Sequence, residues 1–379
     1  MDVNEQLEDL NEEEAKYNIG GVIFVSVTMV LGIIGNLHVL VIYAFRIKPS
    51  NPRTFILFLA VLDFITSIIG MPFIIVDLRN PLTFSLPAVC KILRFVNYFI
   101  CLASSFILFI IAIDRYRKVC DPLGSQISHS AAKYLCLVAL GISLLLSWPA
   151  PVLYGHSTVN TTNPNITGVR CFTEDKFKDT PYQAYFNYVL VFVVFTMFSI
   201  LVVLYTLIAR AITKHTKFIK SFKTTRVKTN NSKETSGNKD ELILKCDVKT
   251  RNDPNANVNT IITSYSGLNE DVNQTYHKGR SKHRDILHFH HIKRTTLTMF
   301  LITAFFFISY MPHLILKIVV FVKKDFVTNL NITGKLLYNT FVWCFFINNI
   351  MNSFIYGFCD RNFRTEVKIM YNAIFRRNK

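Results

Sequence analysis

Residues 111–120 read I-A-I-D-R-Y-R-K-V-C, placing Asp114, Arg115, Arg117 and Lys118 directly after nineteen residues, 95–113, that carry no formal charge. An apolar run of this length that ends on a charged cluster is how a helix leaves a bilayer, because about 20 mostly apolar residues cross roughly 30 Å of hydrocarbon. Across 379 residues, 51% of them hydrophobic, the formal net charge is +17, so apolar and basic material are segregated along the chain. Long apolar runs fall near 19–45, 54–78, 92–116, 134–154, 184–212, 295–322 and 335–357. Soluble core helices rarely exceed about 20 residues. The chain therefore reads as seven membrane-spanning helices, in preference to a large soluble protein with buried helices.

Lys and Arg in short loops set orientation, since cationic flanks stay on the cytoplasmic side. Arg46, Lys48 and Arg53 follow the first run; Arg115, Arg117, Lys118 and Lys133 lie between the third and fourth; Arg361, Arg364, Lys368, Arg376, Arg377 and Lys379 follow the seventh. These loops face the cytosol. Residues 1–18 hold Asp2, Glu5, Glu8, Asp9, Glu12, Glu13 and Glu14 with Lys16, which suits an outside N-terminus and lacks the positive start of a cleavable signal. The first span then serves as its own uncleaved signal. Three acceptor sequons, at Asn160, Asn165 and Asn331, fall in loops this rule puts outside; those at Asn230 and Asn273 fall inside, so the motif alone decides nothing.

Of the eight cysteines, Cys90 and Cys171 both lie on the outer, oxidising side, and a disulfide between them is expected, with two free thiols as the alternative. Cys101, Cys120, Cys136, Cys246 and Cys344 read as reduced or buried, and Cys359 as a candidate for palmitoylation. Residues 214–294 turn polar and basic without periodicity and read as a disordered third cytoplasmic loop. Its basic excess suits an anionic inner leaflet and calls for no nucleic acid. His283, His288, His290 and His291 within it match no zinc spacing, and a basic extension of span six is the simpler account.

Ionisable groups at membrane depth are costly and point to function. Asp63 lies in span two; Asn36 in span one, Ser104 in span three, and Asn348, Asn349 and Asn352 in span seven lie at similar depth. Asn348 and Asn352, spaced i, i+4, share a helix face that turns toward Asp63. One reading is a hydrogen-bonded network gluing helices, at about 0.6 kcal/mol per contact. The other starts from the roughly 2.5–3.5 kcal/mol cost of a carboxylate there, which calls for a partner cation. With no Lys or Arg at that depth, sodium or a proton at Asp63 is the candidate.

Gly35-Asn36, L-A-V-L-D at 59–63, I-D-R-Y at 113–116, Phe306 with Pro312, and N-S-F-I-Y at 352–356 match in type and order a known pattern. The chain resembles the class A, rhodopsin-like, G-protein-coupled receptors over all seven spans. The resemblance implies an all-α membrane protein, a seven-helix bundle over residues 19–358 with a short amphipathic eighth helix and tail at 359–379, multi-pass in the plasma membrane. It implies that Arg115 pairs with Asp114 at rest, next to Tyr116. On activation Arg115 lines, with Tyr205 and Tyr356, the floor that receives a heterotrimeric G protein. Arg117 and Lys118 read as anchors only. Ser353 replaces the family's span-seven proline, Met197 the span-five proline and Tyr310 the span-six tryptophan, and Ile292 stands where many relatives have an acid. Fewer prolines suggest straighter spans five and seven.

In the resemblance, Asn97 stands where amine receptors carry an aspartate and Phe346 where visual pigments carry the retinal lysine. What lines the outer half is then Asn97, Cys101, Tyr310, His313, Lys317, Tyr338, Val342 and Phe346, under a loop long enough to form a lid. This suits a peptide. Residues 111–120 resemble neuropeptide receptors of the cholecystokinin and orexin kind, especially invertebrate ones. Lys317, Lys323 and Lys324 suit a carboxylate and the acidic leader suits a basic peptide, and both also read as solvated surface. Arrestin and receptor kinases would act on the Ser- and Thr-bearing third loop, since the tail offers Thr365 alone. A transporter would show paired interruptions in matching halves. An enzyme would show a nucleophile with its base, or metal ligands. Neither pattern appears, and no cofactor beyond the allosteric sodium is expected; a divergent receptor with a non-peptide ligand is the remaining alternative.

Overall fold

A computed structural model describes residues 2–234 and 292–377, save 321, 324, 325 and 328. Most of the third loop, with Cys246, the sequon at Asn273 and the histidines 283–291, lies outside the described residues, as do Lys324 and Lys379.

Seven helices are long and apolar enough to cross a membrane: Ile19–Phe45, Asn51–Arg79, Pro87–Cys120, His129–Leu153, Tyr182–Lys217, Ile292–Val320 and Ile332–Cys359. Their order matches the sequence reading, and they make this a multi-pass membrane protein. Local chemistry sets their ends. Ser50 caps span two by accepting from Arg53 N at 3.4 Å, with Pro52 in the first turn, and Ser128 caps span four by accepting from Ala131 N at 3.1 Å. Arg53 in turn donates to the last carbonyls of span one, Tyr43 O at 2.5 Å and Ala44 O at 2.8 Å, so this loop cation also works as a C-terminal cap.

The chain divides into two units, Met1–Tyr205 with Thr295–Lys379, and Thr206–Arg294. Within the second, the helix that begins at Tyr182 runs on to Glu234, so residues 214–234 are helical where a loop was expected. At the start of this segment the Thr216 hydroxyl back-bonds to Ile212 O at 2.8 Å, so a hydroxyl side chain joins the helix instead of breaking it.

In the first unit the inner half is filled by Ile42, Tyr43, Phe55, Leu59, Ile107, Ile111, Met299, Ile302, Phe306 and Tyr356. Span one approaches its neighbours closely through glycine. A Cβ on Gly32 would sit 2.5 Å from Ser67 Oγ, and one on Gly35 would overlap Ser353 Oγ. Small residues at such contacts let helices pack where the hydrophobic effect offers no drive.

Two spans depart from simple helices. Span two holds a π-helical segment, Thr66–Gly70, just before Pro72, whose missing N–H makes a regular turn costly there. Span seven is interrupted: Ile332–Phe341 gives way to a turn at Val342 and Trp343, a 3-10 segment Cys344–Phe346, and then Ile347–Cys359. The expected straighter span seven is therefore wrong. Ser353 continues its helix, back-bonding to Ile350 O at 2.8 Å, and the break has moved toward the outer side.

Three further elements frame the bundle. Residues 3–16, read from sequence only as an acidic leader, form a helix capped by Asp2, and Asn11 ties it to the loop after span two by donating to Arg79 O at 3.3 Å and accepting from Leu82 N at 3.0 Å. The loop after span four is an antiparallel hairpin, β1 Tyr154–Asn160 and β2 Thr167–Thr173, with His156 opposite Cys171. These are the strands of the described residues. Beyond span seven, the helix Arg361–Arg377 docks on the inner end of span one, where Tyr43 donates to Asp360 Oδ2 at 2.6 Å and stacks on Phe363.

Candidate functional site

At the inner end, Asp114 and Arg115 are both buried, at 1% and 3% exposure, and Arg115 Nη2 donates to Asp114 Oδ2. Two charges in a poorly solvated site persist only when both are paired and hydrogen-bonded. Asp114 gains two more donors: Asn51 Nδ2 at 3.0 Å and the Lys118 ammonium at 3.0 Å. Lys118 is thus no mere anchor. Its i, i+4 spacing from Asp114 brings it back over one turn. Arg117 is exposed and donates to Ser125 O at 3.2 Å. Asn51, missed from sequence, also donates to Ile127 O at 2.7 Å and so ties spans two and three to the inner loop.

Tyr205 and Tyr356 do not bond Arg115 here. The Tyr205 hydroxyl pairs with Thr303 Oγ1 at 2.9 Å, joining spans five and six. Tyr356 packs its ring 5.6 Å from that of Tyr43, and its hydroxyl is buried without a hydrogen-bond partner. Tyr116 is half-buried. In this arrangement the guanidinium is bound to its neighbour, and neither tyrosine hydrogen-bonds it.

At mid-depth the polar residues meet, with corrections. Asn352 Nδ2 donates to Asp63 Oδ2 at 2.7 Å, as the shared face implied. Asn348 makes no such bond and its Oδ1 is buried without a partner. Asn36 donates instead to Gly32 O at 3.0 Å and to Asn349 O at 2.9 Å, which ties span one to span seven. A cavity of about 50 Å³ is lined by Asp63, Ser104, Asn348 and Asn349 below and by Asn97, Cys101, Tyr310 and Phe346 above. The polar core and the floor of the outer pocket, separate in the sequence reading, are one space. It has room for one or two waters but not for a peptide side chain.

Above it, the Cys101 thiol donates to the Tyr310 hydroxyl at 3.1 Å, and Tyr310 stacks on Phe306, so the residue in the tryptophan's place is bonded to span three. His313 Nδ1 lies 2.6 Å from Val342 O, inside the break of span seven. Tyr338 faces Phe326, their rings 6.4 Å apart. Lys317 is exposed. Sequence reasoning missed Arg94, which donates to Asp77 Oδ2 at 2.8 Å and to Cys171 O at 3.0 Å.

The hairpin covers this half. Cys90 and Cys171 form the expected disulfide, with Cα atoms 5.6 Å apart, fixing β2 to the start of span three. Glu174, just past β2, is held below its ordinary pKa: burial alone would raise it, and Lys91 at 2.8 Å and Lys176 at 3.2 Å outweigh burial. Asp175 is lowered to about 2, chiefly by its bond to Lys178 and then by Thr158. Asn160, Asn165 and Asn331 are all exposed. Among the described residues no group of three or more His, Cys, Asp or Glu is placed to hold a metal.

The profile of the family described as 7 transmembrane receptor (rhodopsin family) matches residues 35–356. The chain is similar to the Neuropeptide S receptor of Homo sapiens, 27% identical over 170 residues, 44% of each chain. It is also similar to Cephalotocin receptor 2 of Octopus vulgaris, 31% identical over 133 residues, 34% of this chain and 31% of the relative. A third similarity is to Trace amine-associated receptor 4 of Rattus norvegicus, 30% identical over 132 residues, 35% of this chain and 36% of the relative. Each match spans less than half of the relative's length.

Proposed function

The chain belongs to the rhodopsin family of seven-transmembrane receptors, and from that premise we propose that it binds an extracellular peptide and activates a heterotrimeric G protein. It is a receptor and not an enzyme. The observation that carries the proposal is the buried Arg115 at the inner mouth, bonded to an acid that Asn51 and Lys118 also hold. A cation with a replaceable partner makes a two-position switch: once the bundle opens, the guanidinium exchanges Asp114 for a cytosolic protein. Tyr205 and Tyr356 then move in to line that floor.

The peptide is supported by relatives named as receptors for neuropeptide S and cephalotocin, and by an outer half of mixed polarity beneath a disulfide-pinned hairpin. The resemblance of residues 111–120 to invertebrate receptors of the cholecystokinin and orexin kind suggests which peptides to try first. Residues 1–18 and the hairpin then lie outside, with glycans at Asn160, Asn165 and Asn331. The domain spans 19–358 in the plasma membrane, the third loop 214–294 meets kinases and arrestin, and 359–379 lies at the inner leaflet. A sodium ion fits the middle as an allosteric ligand. One carboxylate, Asp63, with the neutral oxygens of Ser104 and Asn348 around the small cavity, suits a monovalent cation, and Asn348 Oδ1 lacks another partner.

The trace amine relative favours a second reading, a small amine ligand. Against it, Asn97 lines the cavity where that chemistry needs a carboxylate, and Asp77 is already held by Arg94. Cells expressing the full chain, screened with peptide and amine collections through calcium and cyclic-AMP readouts, separate the two. The expected result is a peptide response that disappears in Arg115→Ala cells with equal surface delivery. Responses to amines alone support the second reading, and a response undiminished by Arg115→Ala contradicts G-protein activation through this residue.

A further inference from the structure

A cavity of about 440 Å³ lies where the helix of residues 3–16 meets the end of span two, apart from the receptor site described above. Its volume falls within the roughly 300–1,000 Å³ of small-molecule sites. Glu8, Glu12 and Lys16, spaced i, i+4, i+8, line it along one helix face beside the buried Asn11 and Ala15, and Arg79 and Asn80 line it from span two. Asn11 holds the two sides together, donating to Arg79 O at 3.3 Å and accepting from Leu82 N at 3.0 Å. The main chain at Arg79 is therefore fixed while its side chain is exposed. Ile19, the first residue of span one, also lines the cavity. Ile19, Ile23 and Val27, again four residues apart, form an exposed apolar row that runs from it along the span.

The charges around this space are balanced in number but not paired. Two acids, Glu8 and Glu12, and two cations, Lys16 and Arg79, border it. Among the described residues none of these four side chains forms an ion pair or a hydrogen bond, although Glu12 and Lys16 have the i, i+4 spacing that favours one. A ligand with one charge of each sign satisfies both sets at once, whereas a lone anion or cation meets repulsion from half of them. The order of the charges gives that ligand a direction. Lys16 lies just before span one and Arg79 ends span two, whereas Glu12 and Glu8 lie one and two turns further back along the N-terminal helix. In a zwitterionic phospholipid the phosphate is joined to the glycerol that carries the acyl chains, and the ammonium extends beyond it. The phosphate then meets Lys16 and the forked Arg79 guanidinium, and the ammonium meets Glu8 and Glu12. The exposed row that starts at Ile19 offers the acyl chains an apolar wall.

We propose that this cavity binds a phosphate–ammonium zwitterion, the headgroup chemistry of phosphatidylcholine, from the leaflet next to the N-terminal helix. The site is independent of which ligand activates the receptor. Native mass spectrometry of the purified full chain in an uncharged detergent, titrated with phosphatidylcholine or phosphatidylglycerol, counts the lipid retained. The unmodified chain is expected to retain a single phosphatidylcholine saturably. Lys16→Gln with Arg79→Gln, and separately Glu8→Gln with Glu12→Gln, should each weaken that retention about three- to tenfold. All four side chains are exposed, so Tm should hold in both variants. Phosphatidylglycerol carries the phosphate without an ammonium, so losing the two acids should leave or strengthen its retention. Soluble phosphocholine distinguishes the sources of the headgroup: displacement of the lipid makes the free zwitterion a ligand in its own right, and no displacement assigns the site to lipid in the membrane. Undiminished retention of phosphatidylcholine in either paired variant, equal weakening of both lipids by loss of the acids, or no saturable phosphatidylcholine on the unmodified chain would overturn the proposal.

Discussion

Two buried aspartates in this bundle live under opposite conditions. Asp114, at the inner end, receives Arg115, Lys118 and Asn51, two of them cations. Asp63, at mid-depth and just as buried, receives Asn352 alone, among polar atoms that lack partners: Asn348 Oδ1, Asn349 Nδ2, Asn352 Oδ1 and the Tyr356 hydroxyl. Burial alone therefore does not tell a latch from a site with bonding capacity to spare. The number and charge of the donors do.

The largest expected effect tests the saturated side. Asp114→Ala leaves Arg115 buried beside Lys118 with no acid, a loss of about 3–5 kcal/mol in the folded receptor. A marked fall in Tm and in detergent lifetime should follow, whereas Asn51→Ala, which leaves both cations in place, should cost about 1–2 kcal/mol. Equal losses in the two variants would dissolve the distinction between cationic and neutral donors.

Asp63→Asn is expected to go the other way. Removing a charge that costs roughly 2.5–3.5 kcal/mol to insert, less one hydrogen bond worth about 1 kcal/mol, should raise Tm in sodium-free buffer. Added sodium should raise Tm of the unmodified chain and not of Asp63→Asn. A loss in Asp63→Asn as large as that of Asp114→Ala would break the comparison.

Smaller still, Lys118→Gln should cost about 1 kcal/mol and Arg117→Gln within about 0.5 kcal/mol, read by chemical unfolding in mixed micelles. The exposed counterpart is Asp175. Its carboxyl lies below the ordinary value near pH 3.9, so its bonds to Lys178 and Thr158 are complete above that pH and are lost as pH falls through about 2. Hydrogen-exchange protection of the Thr158 amide, which donates to Asp175 Oδ1 at 2.9 Å, should fall over that window. Protection still unchanged well below pH 2 would show that the hairpin alone protects it.

The legible part of the sequence was what repeats or is contiguous. Seven apolar runs set the spans because the bilayer imposes a length on each, and the pairing of Asp114 with Arg115 came from the family resemblance of the I-D-R-Y stretch. Lys118 carried a readable i, i+4 signal, but the positive-inside rule explained the same residue and concealed it. Asn51 and Arg94 gave no local signal, since their partners Asp114 and Asp77 lie on other spans. The break at Val342–Phe346 contains neither proline nor glycine; the His313 contact to Val342 O is tertiary, so a rule that ties kinks to proline placed the bend elsewhere. In residues 214–234 the polar composition suggested a loop, yet those residue types also form helices and the apolar helix before them supplies the nucleus.

The exchange of partners at Arg115 is tested most directly by agonist-free nucleotide exchange on purified heterotrimers, comparing the unmodified chain, Asp114→Asn, and Asp114→Asn with Arg115→Gln, at matched amounts of folded receptor. Weakening the acid should raise exchange several-fold, and removing the guanidinium as well should return it to background. A double variant as active as the single one would contradict the account.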